Sequence, residues 1–155
     1  MKLWIDGDAL PNRLKGILRR AIQRKHIDTC VVSNKVISLG KPHPLIEYIV
    51  VEAGPDVADD YIADGVQQGD LVITADIPLA DRAISKGAQA LDHRGKMFTE
   101  ANVKRSLAMR NLMEDLQNME ENIRRGPAPY SEKDARLFAN HFSAFLDAIK
   151  KAPRK

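Results

Sequence analysis

The sequence predicts an α/β domain of three layers, in which a mostly parallel, five-stranded sheet carries helices on both faces. Short apolar, β-branched runs alternate along the chain with segments whose apolar residues recur at helical spacing. Parallel strands need crossover connections, and helices on both faces of the sheet provide them. The 155 residues suffice for one sizeable core. We therefore expect a single domain over residues 1–155, with an α/β core over 1–95 and a helical portion over 96–155 packed on it.

The first half of the predicted core contains three strands and two helices. The strands are the apolar runs KLWID, TCVVS and EYIVVEA, and the first helix extends from Pro11 to about Lys25. Gly40 and Pro42 predict an irregular crossover before the third strand. The segment GPDVADDYIADGVQQGD has its apolar residues on one face and ends at Gly69, which predicts the second helix.

Two further strands and one helix complete the predicted core. DLVITA is the fourth strand and AQAL is the fifth. Between them, PLADRAISKG has Pro78 in the first turn of a helix and Gly87 at its end. The regular alternation of strand and helix favours the parallel arrangement.

Two long helices are predicted after the core. The first extends from Thr99 to about Arg124, and a capping box of Ser131 and Asp134 begins the second. The apolar stripes of the two helices consist of Met109, Leu112, Leu116, Met119 and Ile123, and of Phe138, Phe142, Phe145 and Ile149. We expect both stripes to pack on the core, and a seam between two copies of the chain in a homodimer is the alternative.

Composition narrows the functional classes. No apolar run reaches the roughly 18 residues of a membrane-spanning helix, and no signal-peptide pattern begins the chain, so we expect a cytoplasmic protein with no membrane contact. The single cysteine, Cys30, lies in an apolar run, which excludes disulfide frameworks and cysteine-based zinc sites. A net charge of +3 allows an anionic partner without requiring one.

Acidic residues follow the predicted strands at the edge where the loops of an open α/β sheet form a crevice. Asp6 ends the first strand and Asp76 follows the fourth, while Asp59 and Asp60 lie in the first turns of the second helix. Carboxylates that lie close together repel one another unless a cation compensates, and Mg²⁺ and Mn²⁺ prefer oxygen ligands. The cluster therefore predicts a site for one of these ions.

Several acidic residues near this edge also have a structural interpretation. Asp8 can shape the turn into the first helix, Asp56 can cap the second, and Asp76 can begin the third. Asp81 lies one turn into the third helix and can pair with a cation on its surface. The joint placement of the acids at one edge favours the metal site, and we include Asp8 and Asp81 among its candidate ligands.

Other polar residues are less suited to such a site. Asp60 points about 100° away from Asp59 on an ideal helix, so the two do not serve one ion equally, and Asp59 is preferred. Asp64 and Asp70 resemble solvated loop residues, and His93 resembles a hydrogen-bonded surface residue. These last three are not expected at the site.

Longer stretches of the chain resemble a known family. WIDGDALPN, VVSN, GPDVADDYIA, GDLVITADIPLADRAISKGA and LDHRGKMFTEANV are similar to the bacterial YaiI/YqxD-like family, whose members belong to the PIN-like nuclease fold. The resemblance continues through LAMRNLMEDL and GPAPYSEKDARLF and so covers nearly the whole chain. It implies one PIN-like domain that holds Mg²⁺ or Mn²⁺ and cleaves phosphodiester bonds of RNA or DNA.

The resemblance also implies roles for individual residues. The three acids of the family correspond to Asp6, to Asp59 or Asp60, and to Asp76. Thr74 lies two residues before the last of these, where PIN-like domains often have Ser or Thr. Pro78 lies where many PIN nucleases have a further acid, and Asp81 follows one turn later.

Metal-assisted hydrolysis is the reaction that these residues suggest. An ion held by Asp6 and Asp76 would polarise the scissile phosphate and lower the pKa of a bound water, and Asp59 completes the catalytic set. A second ion would draw on Asp59, Asp60 or Asp81. Contacts to phosphate from Arg82, Arg94 and Lys96, together with Thr74, would position the substrate without reading its base sequence.

Two other functions compete with this one. A catalytically inactive PIN-like module would bind RNA or a protein partner through two basic helix faces, formed by Arg13, Arg20 and Arg24 and by Lys104, Arg105 and Arg110. The segment IDGDA also resembles the first motif of haloacid-dehalogenase-like phosphatases, with Ser33 in the place of the second. The early start of the first helix, at Pro11, argues against that fold, which inserts further structure there.

Overall fold

The computed structural model describes residues 1–119 and 129–151 and confirms the predicted α/β class. Its strands are β1 (Leu3–Asp6), β2 (Thr29–Ser33), β3 (Ile46–Val50), β4 (Leu71–Ile73), β5 (Gln89–Leu91) and β6 (Met97–Phe98). Its helices are α1 (Asn12–Lys25), α2 (Val57–Gly65), α3 (Ile77–Ser85), α4 (Glu100–Met119) and α5 (Glu132–Lys151). None of the helices within the described ranges is long and apolar enough to cross a membrane.

The strands form one sheet in the order β3-β2-β1-β4-β5-β6, and β1 to β5 are parallel. The sixth strand was not predicted: β6 pairs antiparallel with β5, and its two residues are too few to show an alternating pattern. The chain leaves β1 towards β2 on one side and reaches β4 on the other. A crevice opens outside the carboxyl ends of the strands at such a switch point.

Helices cover both faces of the sheet, as the alternation of elements predicts. On one face, α1 and α5 bury apolar residues such as Leu14 and Phe138 against the strands. On the other face, α2, α3 and the first part of α4 contribute Ile62, Leu79 and Val103. All five of these side chains are buried. Full burial of a Leu, Ile, Val or Phe side chain contributes about 1.5 to 3 kcal/mol, so the two faces together hold the helices in place.

Two helix boundaries depend on local packing. Helix α2 ends at Gly65 and not at the expected Gly69, because the chain turns to an extended conformation at Val66, which is buried. A Cβ atom on Gly65 would lie 2.6 Å from the Trp4 ring, so the helix and β1 meet at a distance that only glycine permits. The predicted capping box of α5 is confirmed, since the Ser131 amide donates to Asp134 Oδ2 over 2.9 Å.

The apolar stripe of α4 does not lie in the core. Its described positions Met109, Leu112 and Leu116 are 58%, 52% and 40% exposed, so the expectation that this stripe packs on the sheet domain is wrong for them. The physical reason is the direction of α4, which passes the first residue of α3, Ile77, at about Met109 and continues beyond it. The last predicted positions of this helix, 120–124, lie outside the described residues.

Candidate active site

Asp6 and Thr74 are brought together by the pairing of two central strands. Successive side chains of a strand point to opposite faces. Trp4 and Val72 point to the face covered by α2 and α3, so Asp6 and Thr74, two residues further along β1 and β4, point to the same face. The Thr74 hydroxyl donates a hydrogen bond of 2.9 Å to Asp6 Oδ2. Both side chains are buried, and Asp6 is 7% exposed.

Asp8 lies in the turn after β1, where its negative charge contributes to the raised pKa of Asp6. Its carboxylate accepts a hydrogen bond of 2.6 Å from the Asn34 amide, and its own amide donates to Asp6 Oδ1 over 3.4 Å. Gly7 lets the chain pass close to β2, since a Cβ there would lie 2.6 Å from Ile37 Cδ1. Asp8 therefore shapes the turn that orients Asp6, which agrees with its structural interpretation.

Asp76 begins α3 and is fixed to the same threonine. Its Oδ1 accepts a hydrogen bond of 2.9 Å from the Leu79 amide, as an N-cap residue does, and its own amide donates to Thr74 Oγ1 over 3.0 Å. Thr74 thus connects the Asp6 carboxylate with the backbone of Asp76. The Oδ1 atom of Asp76 therefore has a structural role at the start of α3.

Asp59 completes the cluster from α2. Its carboxyl group lies within hydrogen-bonding distance of the Asp76 carboxyl group. Burial, and next the negative charges of Asp76, Asp6 and Asp56, raise the pKa of Asp59 from 3.8 to about 7. Burial likewise raises the pKa of Asp6, although the Thr74 hydroxyl and the Asp8 amide oppose the rise. The chain therefore places three carboxyl groups near one another, and Arg82, a cation whose charge acts on Asp59, is already paired with Asp60.

The neighbouring acids differ, because each has a cation of its own. Asp60 pairs with Arg82 at 2.7 Å, and Asp81 pairs with Lys104 at 2.8 Å. Both pairs are partly solvated and lie beside the cluster, on the outer faces of α2 and α3. In the parts of the chain that the structure describes, Asp6, Asp59 and Asp76 take part in no salt bridge. The cluster of Asp6, Asp59 and Asp76 is called the carboxylate cluster below.

The donor atoms of the carboxylate cluster suit a hard divalent cation. Across residues 1–119 and 129–151, no three His, Cys, Asp or Glu side chains lie close enough together to hold one ion as they stand. Mg²⁺, however, is commonly bound by one or two carboxylates and keeps several waters. The adjacent carboxyl groups of Asp59 and Asp76 meet that requirement, and a cation between them would favour the charged form of Asp59, whose pKa is raised by burial and next by the neighbouring carboxylates.

The predicted substrate contacts lie in different places. Thr74 is part of the carboxylate cluster by its hydrogen bond to Asp6. Arg94 lies on the side of α5, 3.4 Å from Asp134 and 5.8 Å from the centre of the Tyr130 ring. Lys96, in the turn between β5 and β6, lies 5.9 Å from the Phe98 ring.

Two residues expected at the solvated surface are buried. Asp70 is 8% exposed and accepts hydrogen bonds from the Lys2 and Gln67 amides and from the Trp4 indole, so it holds the start of β4. His93 is 6% exposed, its Nε2 has no hydrogen-bond partner among the described residues, and burial lowers its pKa to about 4. Neither belongs to the carboxylate cluster. The sequence carries no local signal for these contacts, because their partners come from other segments.

Comparison with known proteins agrees with the resemblance. The model of the family described as "Uncharacterized BCR, YaiI/YqxD family" matches residues 4–148. A UPF0178 protein of Sulfurimonas denitrificans is 55% identical over 94% of this chain and 95% of its own. UPF0178 proteins of a Nitratiruptor and a Sulfurovum species are 52% and 53% identical, over 97% and 94% of this chain and 98% and 97% of theirs. No solved structure matches.

Proposed function

The chain belongs to the uncharacterised YaiI/YqxD family, and we propose from the carboxylate cluster that it is a nuclease that hydrolyses phosphodiester bonds of RNA or DNA with Mg²⁺ or Mn²⁺. The observation that carries this proposal is the contact of Asp59 with Asp76 near Asp6 at the switch point of the sheet, where none of the three forms a salt bridge within the described residues. The neighbouring carboxylates of Asp60 and Asp81 both form salt bridges with cationic side chains. The lack of such a partner in the cluster is therefore not explained by a general excess of acidic residues in this region. The PIN-like fold belongs to the same proposal.

The residues of the site have distinct parts in this mechanism. Asp59 and Asp76 would hold the ion, and Asp6 would orient its waters from a position fixed by Thr74. When bound, the ion supplies the charge that polarises a phosphate oxygen and lowers the pKa of a water. No side-chain nucleophile is required. Lys96 lies in the turn after β5, at the same edge of the sheet, and would neutralise a phosphate of the substrate.

The nuclease proposal is tested by cleavage of labelled single-stranded RNA and DNA in Mg²⁺, Mn²⁺ or EDTA. Asp76→Asn is the decisive variant, because Asn still accepts the hydrogen bond from Leu79 and so preserves the start of α3. Its cleavage rate should fall by at least about a hundredfold, since a bound ion contributes several kcal/mol. Asp64→Asn, at an exposed position of α2, is the matched control and should leave the rate unchanged.

The outcome separates the nuclease from its competitors. Cleavage that persists in EDTA or in Asp76→Asn would refute the proposal. Retained RNA binding without cleavage would instead favour the inactive binding module, for which the basic faces of α1 and α4 are the supporting feature. The phosphatase has less support, because the Ser33 hydroxyl donates to the Lys35 carbonyl over 2.6 Å and so serves its own loop. The proposed cellular location of this reaction is the bacterial cytoplasm.

A further inference from the structure

A groove of about 620 Å³ lies between the first residue of α3 and the middle of α4. The groove is shallow and largely open to solvent, so a ligand would lie along it and not inside it. Three cationic and three apolar side chains form most of its wall, namely Lys96, Arg105 and Arg110, and Ile77, Met109 and Met113. We call it the α3–α4 groove.

The groove adjoins the carboxylate cluster. Ile77 lines the groove and directly follows Asp76, whose carboxyl group belongs to the cluster. Helix α4 runs antiparallel to α3, because Lys104 contacts Asp81 within α3 while Met109 lies across the groove from Ile77. The part of α4 beyond Met109 therefore rises past the carboxyl edge of the sheet. Ile77, which follows Asp76, is thus the link between the groove and the carboxylate cluster.

The charges of the groove complement an anionic chain. In the parts of the protein that the structure describes, Lys96 and Arg105 form no salt bridge. Arg110 pairs with Glu114 on its own helix, at 3.6 Å between side chains that are about half exposed. Exposed pairs of this kind contribute little, so all three cations can turn to phosphate groups.

The apolar side chains of the groove, those of Ile77, Met109 and Met113, form a floor that suits a single strand better than a duplex. Met109 is 58% exposed and presents a flexible, polarisable thioether, which adapts to flat apolar surfaces. A duplex keeps its bases stacked inside and would offer this floor only sugar and phosphate. A single strand has unpaired bases that can contact these apolar side chains while its phosphates contact the cations.

We propose that the α3–α4 groove binds a single-stranded segment of nucleic acid and leads it to the carboxylate cluster. The inference rests on the proposed function in that it makes the bound strand the substrate of the cluster. Arg105 and Arg110 bind its phosphates, Lys96 binds the phosphate nearest the cluster, and Met109 and Met113 support its bases. RNA and DNA both offer phosphates and bases to these residues. Only a binding experiment that compares the two shows whether the 2′-hydroxyl group of RNA contributes.

Binding is measured with the full chain by fluorescence anisotropy of short labelled single-stranded RNA, single-stranded DNA and duplex DNA. The measurement is made in EDTA, so that binding does not depend on cleavage. The test variants are Arg105→Ala/Arg110→Ala, which removes two cations, and Met109→Glu, which adds a negative charge at an exposed position. The matched control is Lys133→Ala/Arg136→Ala, which removes the same charge from exposed positions of α5 on the opposite face of the sheet.

Both test variants should weaken single-strand binding by about tenfold or more, and the control should stay within about twofold of wild type. The salt dependence of log K should become shallower by about 1.4 for the double variant, because each phosphate contact on a single strand contributes about 0.7. Equal weakening of RNA and DNA binding would show recognition of the shared backbone. A loss confined to RNA would show that the groove also contacts the 2′-hydroxyl group.

The results that overturn the groove differ from those that overturn the nuclease. The groove would be refuted by unchanged binding of both test variants, by a stronger loss of single-strand binding in the matched control, or by tighter binding of the duplex. Asp76→Asn should bind single strands like wild type and fail to cleave them. Groove-dependent binding without cleavage in Mg²⁺ or Mn²⁺ would support the groove and refute the nuclease. Cleavage of single strands at the wild-type rate by Met109→Glu and by Arg105→Ala/Arg110→Ala would support the nuclease and refute the groove.

Discussion

Asp59→Asn should stabilise the protein in the absence of metal, although it removes a residue of the proposed site. In the folded chain the pKa of Asp59 is about 7, against an ordinary value of 3.8. Between these two values the folded state binds more protons than the unfolded state, so the free energy of unfolding falls as the pH rises from about 4 to about 7. Above about pH 7, Asp59 is charged in the folded state, and its lowering of the free energy of unfolding has reached its full size.

The size of the effect follows from the same pKa. At about 1.36 kcal/mol per pKa unit, the rise from 3.8 to about 7 corresponds to about 4 kcal/mol at most. Solvent around this partly exposed carboxyl group screens part of the repulsion, which leaves about 1 to 2 kcal/mol. Asp59→Asn should therefore raise the free energy of unfolding by about that amount at pH 8. Near pH 5, where the native carboxyl group is already protonated, the gain should be much smaller.

Urea unfolding followed by circular dichroism in EDTA, between about pH 5 and pH 8, measures both quantities. Asp64→Asn on the same helix is the control and should follow the wild-type dependence on pH. Adding Mn²⁺ should stabilise the wild type and Asp64→Asn more than Asp59→Asn, because an ion that binds only the folded state adds its binding free energy. Equal pH dependence of wild type and Asp59→Asn, or equal stabilisation by Mn²⁺, would refute the uncompensated carboxylate cluster.

Three further substitutions test the packing around the site by thermal and urea unfolding. Thr74→Val should cost about 1 to 3 kcal/mol, because the buried Asp6 carboxylate loses its donor, whereas Thr74→Ser should retain most of the stability; equal losses would contradict the role of the hydroxyl. Gly65→Ala should cost about 1 to 3 kcal/mol and change the fluorescence of Trp4, since the added Cβ would lie 2.6 Å from its ring; an unchanged spectrum would speak against this contact. Leu116→Lys should keep the free energy of unfolding within about 0.5 kcal/mol of wild type because the side chain is 40% exposed, and an unfolded variant would place Leu116 in a core. Sedimentation of both proteins shows whether the stripe forms a dimer seam, which the lysine would dissolve.

The positions of the site acids could be predicted from sequence because they depend on local rules. Asp6 ends an apolar run, and Asp76 follows another before a proline that begins a helix. Strand alternation and a parallel sheet are then enough to bring both acids to one edge and one face. The angle between adjacent helix residues predicts that Asp59 and Asp60 do not serve one ion equally, and in the structure Asp59 is the one beside Asp76.

Contacts between distant segments could not be predicted in the same way. Arg82 and Lys104 bind acids that lie 22 and 23 residues away in the chain, so only the packing of α2, α3 and α4 decides which acids are paired. The burial of Asp70 likewise depends on Lys2 and Trp4, which come from the start of the chain. The α3–α4 groove depends on how far α4 extends past α3. A helical periodicity predicts a stripe but does not say what the stripe contacts.

Asp59 is the residue at which structural and functional explanations separate. Asp6 is oriented by Thr74 and by the Asp8 amide, and Asp76 caps α3, so each of these acids also serves the fold. In the described parts of the chain, no amide or hydroxyl group donates to Asp59, and no cation pairs with it. Its burial beside two other carboxyl groups therefore lowers stability without a structural return. Sites that break the rules of stable folding in this way are where function is expected, which is why the metal is proposed beside Asp59 and not beside the paired acids Asp60 and Asp81.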